Sequence, residues 1–312
     1  MTGTRPRILV FGYNAWDVTL PVARWPEPDT KCEVAVIREG GGGPGATAAV
    51  ALARLGCEVR LVTTFGDDRA AAAQRSELEA AGVDLGACRT AAGHASPRAV
   101  ILVDPARERR TIFWSRGDLP AWPADAVDPA WLEGVDLLYC DGHDAPAAAV
   151  LAGAARARGL GVVVDAGSVR TGTADLVAAA TDVIGAAGFA AALTGVPDRA
   201  AGLGALRERG PERVGETCGA DGVVALDAAG PLEIPAFLVP VVDTTGAGDA
   251  FHAGYAWARV RGESFRDALE AGAAVAALKC RDWGGRAALP TATEVAGLRE
   301  NGVRRPGPCR EP

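Results

Sequence analysis

Several features that assign proteins to well-known classes are missing from this sequence. No apolar run approaches the roughly 20 residues of a membrane-spanning helix. The first residues read directly as a strand rather than as a signal peptide. With 39 acidic and 32 basic residues the net charge is −7, which does not favour a nucleic-acid-binding surface. We therefore expect a cytoplasmic protein without a membrane or nucleic-acid partner.

The cysteines and histidines lack the spacing of a disulfide framework or a metal site. The seven cysteines are an odd number, lie scattered along the chain and form no C-x-x-C pair. The three histidines, His94, His143 and His252, show no metal-ligand spacing. This pattern is typical of a reduced, cytosolic protein.

Two common catalytic or phosphate-binding motifs are also missing. A Walker A loop requires Gly-Lys-Ser/Thr, and neither of the two lysines, Lys31 and Lys279, follows a glycine. The serine-hydrolase turn G-x-S-x-G is absent. Residues 40–56 (GGGGPGATAAVALARLG) contain G-x-G-x-x-G, but the next strand ends in Thr-Thr-Phe instead of the acidic residue that binds ribose. A glycine-rich turn that brings the backbone close to another ligand is the alternative.

Alternating strand and helix patterns predict an α/β protein. Short apolar runs such as RILVFG and VVVDAG alternate with alanine-rich helical segments, which indicates a parallel sheet covered on both faces. Two stretches alternate apolar and polar residues without any helix and suit a small β lid. We predict an α/β domain made of residues 1–14, 39–95 and 117–303. A lid would consist of residues 15–38 and 96–116, and a tail of residues 304–312.

The segment VVDTTGAGDAFHAGY (241–255) predicts a helix that starts with unusually small side chains. Gly246, Ala247 and Gly248 would leave the first amides of this helix open to an anion. Asp249 follows at once, and a carboxylate beside an anion hole suits a general base for phosphoryl transfer. The alternative is a capping aspartate after a glycine-rich turn, which explains Asp249 but not the preceding Asp-Thr-Thr.

The string DTTGAGD and the glycine-rich segment 41–56 resemble the two signatures of the ribokinase-like (PfkB) family of carbohydrate kinases. The likeness covers residues 7–290. It implies a three-layer α/β/α ribokinase-like domain with a small β-sheet lid, and an ATP-dependent kinase that acts on a small sugar. It also implies Mg²⁺ carried mainly by the phosphates and a homodimer formed through the lid.

The resemblance assigns roles to individual residues. The catalytic positions are Asp249 as base with Gly246, Ala247 and Gly248 as anion hole. The positions that match sugar contacts are Asp17, Gly42, Gly43 and Thr47. The positions that match ATP contacts are Thr217, Gly219, Gly222 and Gly248. The positions that match a monovalent-cation (K⁺) site are Asp243 and Thr245 with carbonyls near Lys279, Asp282 and Gly284.

Three departures from the family pattern concern the sugar and the metals. Thr47 stands where the family usually has asparagine, which alters the hydroxyl pattern read on the sugar. Ala186 and Phe189 replace the N-x-x-E motif that helps to organise Mg²⁺ and phosphate. Ala288 lacks the hydroxyl that contributes one ligand of the cation site.

Within the family, GGGPGATAAVA, FHAG and AALKCRDWGGRAALP look most like bacterial sulfofructose kinases and, more weakly, like ketohexokinase. Lys31 falls on a sulfonate-binding lysine of the former, but Phe113 and His143 replace its asparagine and arginine partners. A single cation and an aromatic ring make a weak sulfonate site. We therefore expect a ketose-like sugar or a sugar acid, with Lys31 and His143 near its far end. A solvated lid lysine is the alternative for Lys31.

Two other functions stay open on the sequence alone. A nucleoside kinase of the same fold would need aromatic side chains to stack the base, and the lid offers only Trp16, Trp25, Phe113 and Trp114. A non-catalytic sugar- or nucleotide-binding relative would fit the missing N-x-x-E, although such a protein has no use for the intact base.

Overall fold

The computed structural model describes residues 5–22, 25–107 and 109–306. An eight-stranded sheet forms its centre. From one edge to the other its strands are β14 (Gly230–Ile234), β13 (Val223–Asp227), β12 (Arg213–Thr217), β11 (Asp182–Ala186), β10 (Gly161–Ala166), β9 (Leu137–Cys140), β1 (Arg7–Phe11) and β4 (Glu58–Val62).

The sheet is mixed rather than wholly parallel. Strands β4, β1, β9, β10, β11 and β12 are parallel, and their apolar side chains are buried on both faces, as the short apolar runs predict. Strands β13 and β14 add on in antiparallel orientation. The turn 218–222 is too short for the crossover that a parallel neighbour requires. The prediction of an entirely parallel sheet is therefore wrong at this edge.

Helices cover both faces of the sheet over two separate apolar cores. One face carries α1 (Pro44–Arg54), α2 (Arg69–Ala80), α7 (Ala247–Val260), α8 (Phe265–Lys279) and α9 (Ala292–Asn301). The other face carries α3 (Ala145–Ala157), α4 (Thr173–Ala179), α5 (Phe189–Thr194) and α6 (Arg199–Arg207). These layers confirm the predicted α/β/α architecture. None of the described helices combines the length and apolarity needed to cross a membrane.

A second sheet of four strands stands beside the carboxyl ends of the central strands. Its order is β3 (Arg38–Gly42), β2 (Ala15–Pro21), β7 (Arg98–Asp104) and β8 (Arg109–Ser115). We call this sheet the lid. Strand β3 continues past the predicted boundary at residue 39, and the described residues 25–37 carry no strand. A two-stranded sheet, β5 (Thr64–Phe65) with β6 (Arg89–Thr90), lies apart from both.

The chain returns to the main domain beyond the predicted start of the tail. Arg304 forms a β-bridge with Phe237, and its guanidinium lies 3.5 Å from the centre of that ring. The amide of Arg305 donates to the carbonyl of Ala236. The domain therefore extends past residue 303, whereas residues 307–312 of the predicted tail lie outside the described residues.

Candidate active site

The N-terminus of α7 opens toward the space between the two sheets. Within the described residues, the amides of Gly246, Gly248 and Asp249 donate to no protein acceptor, whereas that of Ala247 donates to the carbonyl of Thr244. Unpaired amides at the positive end of a 14-residue helix are suited to binding an anion. The prediction grouped Gly246, Ala247 and Gly248, but the structure leaves the amide of Asp249 open in place of that of Ala247.

Asp249 lies in the first turn of α7 and lines the cavity in front of that helix. Its carboxylate receives no hydrogen bond from the part of the chain that the structure describes. Burial and repulsion from Asp165 raise the pKa of Asp249 to about 7, against the attraction of His252 and Arg110. An accessible carboxyl group with a pKa near neutrality is suited to proton transfer.

The cavity lies between the lid and the carboxyl ends of the central strands. Its volume is about 370 Å³, which is within the usual range for small-molecule sites. The lid contributes Asp17, Ile101, Ile112 and Trp114, and the main domain contributes the start of α7 together with residues that follow β1, β9 and β10. Both halves of the molecule therefore form its walls.

The side chain of Asp17 lines the cavity beside Gly42 and Gly43, two positions where a larger residue would not fit. A Cβ atom on Gly42 would collide with the Asp17 carboxylate. Gly43 has φ 83°, and a Cβ there would come within 2.7 Å of the Asn14 backbone. Burial raises the pKa of Asp17 to about 7, and Arg286 opposes the rise. The structure thus brings together Asp17, Gly42 and Gly43, three of the predicted sugar contacts.

Two acidic residues of the cavity were not identified from the sequence. Asp141 directly follows β9, and its carboxylate accepts from the amides of Tyr13 (2.6 Å), Gly45 (2.9 Å) and His143 (3.0 Å). It therefore joins the segments that follow β1 and β9 to the start of α1. The signal was present, since LLYCD places an aspartate at the carboxyl end of a buried parallel strand, where sites of α/β proteins form.

Asp165 is the penultimate residue of β10 and is buried. It accepts from the Tyr139 hydroxyl (3.0 Å) and lies 3.3 Å from Nδ1 of His252. Burial, and to a lesser extent Asp141, raises the pKa of Asp165 to about 8. His252, in turn, holds α7 over the sheet through Nδ1 on the Gly248 carbonyl (2.7 Å) and Nε2 on the Ile184 carbonyl (3.1 Å). The histidine thus positions the helix that carries Asp249.

Three arginines that were not singled out from the sequence line the cavity. Arg98 and Arg110 come from lid strands β7 and β8, and Arg170 follows β10. Arg110 donates to the Thr244 hydroxyl (2.9 Å), just before α7. The guanidinium of Arg170 lies 5.9 Å from the ring centre of Trp114. Guanidinium groups from three separate elements thus reach a cavity that is also lined by the carboxyl groups of four aspartates, and they are its donors for an anionic group.

His143 lines the cavity, as the resemblance implies, but Phe113 and Lys31 do not. His143 stacks on Tyr13 with ring centres 4.1 Å apart, and burial lowers its pKa. Side chains alternate along β8, so Ile112 and Trp114 line the cavity and Phe113, which is 58% exposed, lies outside it. Lys31 is exposed in the strandless segment. The predictions that place Phe113 and Lys31 at the substrate are therefore wrong for this structure.

Thr47 lies behind the cavity wall instead of lining the cavity. The side chain is buried in the first turn of α1, and its hydroxyl oxygen accepts from Nε of Arg286 (3.3 Å). The same guanidinium donates to the Gly42 carbonyl (2.6 Å) and pairs with Glu77 (3.1 Å). Thr47 therefore supports the di-glycine segment through Arg286, which corrects its assignment as a direct sugar contact.

The predicted ATP contacts lie in the turn between β12 and β13. Thr217 ends β12, Gly219 has φ 58° and Gly222 has φ 103°. A side chain on Gly222 would collide with the carbonyl of Ile234. The turn lies at the same edge of the sheet as Asp141 and Asp165, since all three follow parallel strands, but it does not line the described cavity.

The residues predicted for a monovalent cation meet behind the anion hole. The carboxylate of Asp243 accepts from the amide and hydroxyl of Thr245 and from the amide of Gly284 (2.7–2.8 Å). The ammonium of Lys279 donates to the carbonyl oxygen of Asp243 (2.9 Å). Asp282 is exposed, and its carboxylate accepts from the amide of the next residue.

The described residues offer Mg²⁺ no site made of protein alone. They contain no group of three His, Cys, Asp or Glu side chains arranged to hold a metal ion. Phe189 is buried where the family motif has glutamate, and buried Glu216 is already used by the Ala190 amide (2.7 Å) and Arg199 (3.5 Å). These residues are compatible with a Mg²⁺ ion whose ligands are mainly the oxygens of bound phosphate groups.

Comparisons with known sequences agree with this geometry. Residues 5–292 match the family model described as pfkB family carbohydrate kinase. The chain is 34% identical over 301 residues to an ATP-dependent ribose-1-phosphate kinase of Halopiger xanaduensis, covering 93% of this chain and 97% of that protein. It is 28% identical to a nucleoside kinase of Methanothermobacter thermautotrophicus, covering 92% and 94%.

Solved structures share the fold over nearly the whole chain. A putative ribokinase from Agrobacterium tumefaciens superposes with a TM-score of 0.88 at 27% identity, covering 95% of this chain and 98% of that one. The ribokinase of Arabidopsis thaliana, solved with ribose and ATP, gives a TM-score of 0.81 at 23% identity and covers 96% and 100%. The arrangement of the central sheet and lid is therefore shared with these proteins.

Proposed function

The chain belongs to the pfkB family of carbohydrate kinases, and we propose that this ATP-dependent kinase phosphorylates a hydroxyl of a small sugar that carries an anionic group. The group would be the carboxylate of a sugar acid or the phosphate of a sugar phosphate. One observation carries the proposal: Asp249 lies at the mouth of an open helix N-terminus and faces a cavity lined by arginines.

Asp249 is proposed as the general base. The sugar hydroxyl, held against Gly42 and Gly43 with Asp17 as a hydrogen-bond acceptor, would lie between Asp249 and the γ-phosphate. As the new O–P bond forms and the bond to ADP breaks, the hydroxyl proton passes to the Asp249 carboxylate. Among the residues that the structure describes, no donor is hydrogen-bonded to this carboxylate, which leaves it available to the substrate hydroxyl and supports the role.

The transferred phosphoryl group would rest on the amides of Gly246, Gly248 and Asp249. Fixed amide dipoles stabilise the charge that develops during transfer without having to reorient. Arg110, which donates a hydrogen bond to the Thr244 hydroxyl beside these amides, adds a positive charge from the lid. The nucleotide itself would extend toward the turn with Thr217, Gly219 and Gly222. Mg²⁺, bound through ATP phosphates and water, would neutralise phosphate charge.

The arginines support an anionic substrate over a neutral sugar. Arg98 and Arg170 line the cavity in addition to Arg110, and a guanidinium binds carboxylate or phosphate oxygens in pairs. The ribose-1-phosphate kinase of H. xanaduensis is named for a substrate of this class. The sequence-based expectation of a ketose-like sugar, and the likeness to sulfofructose kinases and ketohexokinase, stay predictions.

A nucleoside is the second candidate substrate. His143 stacks on Tyr13, and Trp114 approaches both rings edge-on at centre distances of 6.4–6.5 Å. An aromatic cluster at the cavity wall could accept a nucleobase. The nucleoside kinase of M. thermautotrophicus supports this alternative.

A coupled assay of ADP release tests the proposed reaction and base. Pentose phosphates, sugar acids, neutral sugars and nucleosides are compared, and we expect turnover with an anionic sugar. Asp249→Asn should lower kcat by about 10³-fold, because only the proton acceptor is lost. ATP affinity, measured by calorimetry, should stay close to that of the unchanged protein. A variant that retains full turnover would show that Asp249 is not the base.

Arg170→Met tests the substrate class. If Arg170 binds the anionic group of the sugar, KM for that sugar should rise by about 10-fold or more, whereas KM for ATP stays constant. Arg158→Met, which removes an exposed guanidinium at the end of α3, is the matched control. Faster turnover of nucleosides than of any anionic sugar would favour the second candidate.

A further inference from the structure

Lys279 is a buried lysine placed directly behind the proposed anion hole. It is the last residue of α8, its side chain is 0% exposed, and its ammonium donates to the carbonyl oxygen of Asp243 at 2.9 Å. The chain has only two lysines among its 32 basic residues, and the other one, Lys31, is exposed. Burying an ammonium is costly, so this position demands a reason other than packing.

Asp243 fixes the loop that leads into α7. One carboxylate oxygen accepts from the amide and hydroxyl of Thr245, and the other accepts from the amide of Gly284. Its amide donates to the carbonyl of Cys280, and its own carbonyl oxygen accepts from Lys279. The ammonium therefore completes the polar contacts of the residue that sets the direction of the loop carrying the free amides.

A separate monovalent cation does not fit this place. The Asp243 carbonyl oxygen already binds a positive charge, and both carboxylate oxygens already accept from N–H or O–H donors. The Thr245 hydroxyl donates to the same carboxylate, and Ala288 offers no hydroxyl. A second cation beside the ammonium would meet like-charge repulsion at low dielectric. This disagrees with the K⁺ site that the resemblance implies.

We propose that the ammonium of Lys279 is a tethered cation that takes the place of a bound monovalent ion, so that the enzyme works without K⁺. The catalytic part of this inference rests on the proposed function of the adjacent amides. A fixed positive charge behind those amides favours phosphate at the front of α7 and holds their loop in place. Burial lowers the pKa of Lys279, whereas the charge of Asp243 opposes that shift.

The inference is tested with KCl against tetramethylammonium chloride, whose cation is too large for such a site. For the unchanged protein, neither ADP release nor the melting temperature without nucleotide should respond specifically to K⁺. Lys279→Ala removes the charge and leaves room for an ion. Its turnover should fall by about 10²-fold in tetramethylammonium and recover substantially with K⁺ or ethylammonium. K⁺ should also raise its melting temperature.

Two further variants separate charge from packing. Lys279→Met fills the space without a charge and should lose turnover with no rescue by K⁺. Arg281→Met removes an exposed cation two residues away and should stay active and insensitive to K⁺. If Lys279→Ala does not fold, the response of the unchanged protein to K⁺ still tests the proposal. K⁺ activation of that protein, a K⁺-specific rise in its melting temperature, or full activity of Lys279→Ala would overturn the proposal. The melting experiments involve no turnover, so they stand even if the proposed function fails.

Discussion

Asp17 and Asp249 share one cavity, and burial raises the pKa of each carboxyl group to about 7. A general base must be deprotonated before it can accept a proton, so the two states of Asp249 exchange within the neutral range. The charge of Asp249 also contributes to the raised pKa of Asp17. A charged ligand bound in the cavity would therefore shift the pKa of both carboxyl groups.

The pH dependence of turnover follows from these values. Because the base form of Asp249 is lost below a pKa of about 7, kcat/KM should fall as the pH drops through this region. Arg110→Met removes a positive charge from the lid that lowers the pKa of Asp249. The acid limb of the profile should then move to higher pH. An unmoved limb would mean that another group limits the rate.

The buried carboxyl group of Asp165 gives the folding stability a pH dependence with a definite sign. The pKa of Asp165 is about 8 in the folded protein and near 3.8 in the unfolded chain, so the charged form disfavours folding as the pH rises through this window. Asparagine keeps an acceptor for the Tyr139 hydroxyl. Asp165→Asn should therefore raise the melting temperature at pH 8 more than at pH 5, where the wild-type carboxyl group is largely protonated.

Individual site residues were predictable only where a local motif carries them. Asp249 and the glycines before it stand in one short string, and Asp17, Gly42 and Gly43 follow from a resemblance. Residues such as Arg98 and Arg170 reach the cavity from elements distant in sequence, and no local sequence pattern predicts that they lie close together. Phe113 was misplaced for a simpler reason, because period-2 alternation along β8 already puts it opposite Ile112 and Trp114.

At the scale of elements, the entry into α7 depends on two glycines with different requirements. Gly246 has φ 73°, and a Cβ there would meet the carbonyl oxygen of Gly285 at 2.8 Å. Gly248 has no atom within 4 Å of a Cβ position and faces the cavity. The first glycine is needed by the fold, whereas the second leaves open space where the proposal places the phosphate.

This contrast predicts opposite outcomes for two alanine substitutions. Gly246→Ala should cost about 1–3 kcal/mol of folding free energy, because alanine is strained at positive φ and meets backbone. Gly248→Ala should leave the melting temperature nearly unchanged but raise KM for ATP, because its methyl group enters the anion site. Chemical denaturation and steady-state kinetics measure the two effects. Equal loss of stability in both variants would contradict this division of roles.

Strong helices with clear stop signals were predicted closely, and short or interrupted elements were not. The segments ATAAVALARLG and DDRAAAAQRSELEAAG read as helices from their sequence alone, and the structure has α1 and α2 there, each followed closely by a glycine with positive φ, Gly56 or Gly82. Strand β14 contains Pro231, and α4 has only seven residues, so neither shows a period long enough to read. Helix α9 was missed although Thr291 and Glu294 form a capping box, a signal that sequence alone displays.

For the whole molecule, the alternation of strands and helices along the sequence predicts the layers of the fold. It does not predict how the lid and the central sheet together enclose the cavity. The two apolar cores on either face of the central sheet follow from buried parallel strands and the helices between them. The lid derives from two segments about 80 residues apart, and β2 pairs with β7 in parallel across that distance. Such long-range pairing leaves only the alternating pattern in the sequence, which is why the lid was predicted but its strand limits were not.

The outer face of the lid leads to the last prediction, that two copies associate through it. Val18, Val100 and Phe113 lie side by side on adjacent strands, facing away from the cavity, and β8 is an edge strand exposed along its full length. Exposed apolar stripes on edge strands favour pairing with a second chain. Light scattering after size exclusion should give the mass of a dimer. Phe113→Glu should shift it to a monomer, since a charge would be buried in the interface, whereas Val150→Glu on α3, which is also exposed but lies outside the lid, should not. A monomeric unchanged protein would show that the stripe serves no self-association.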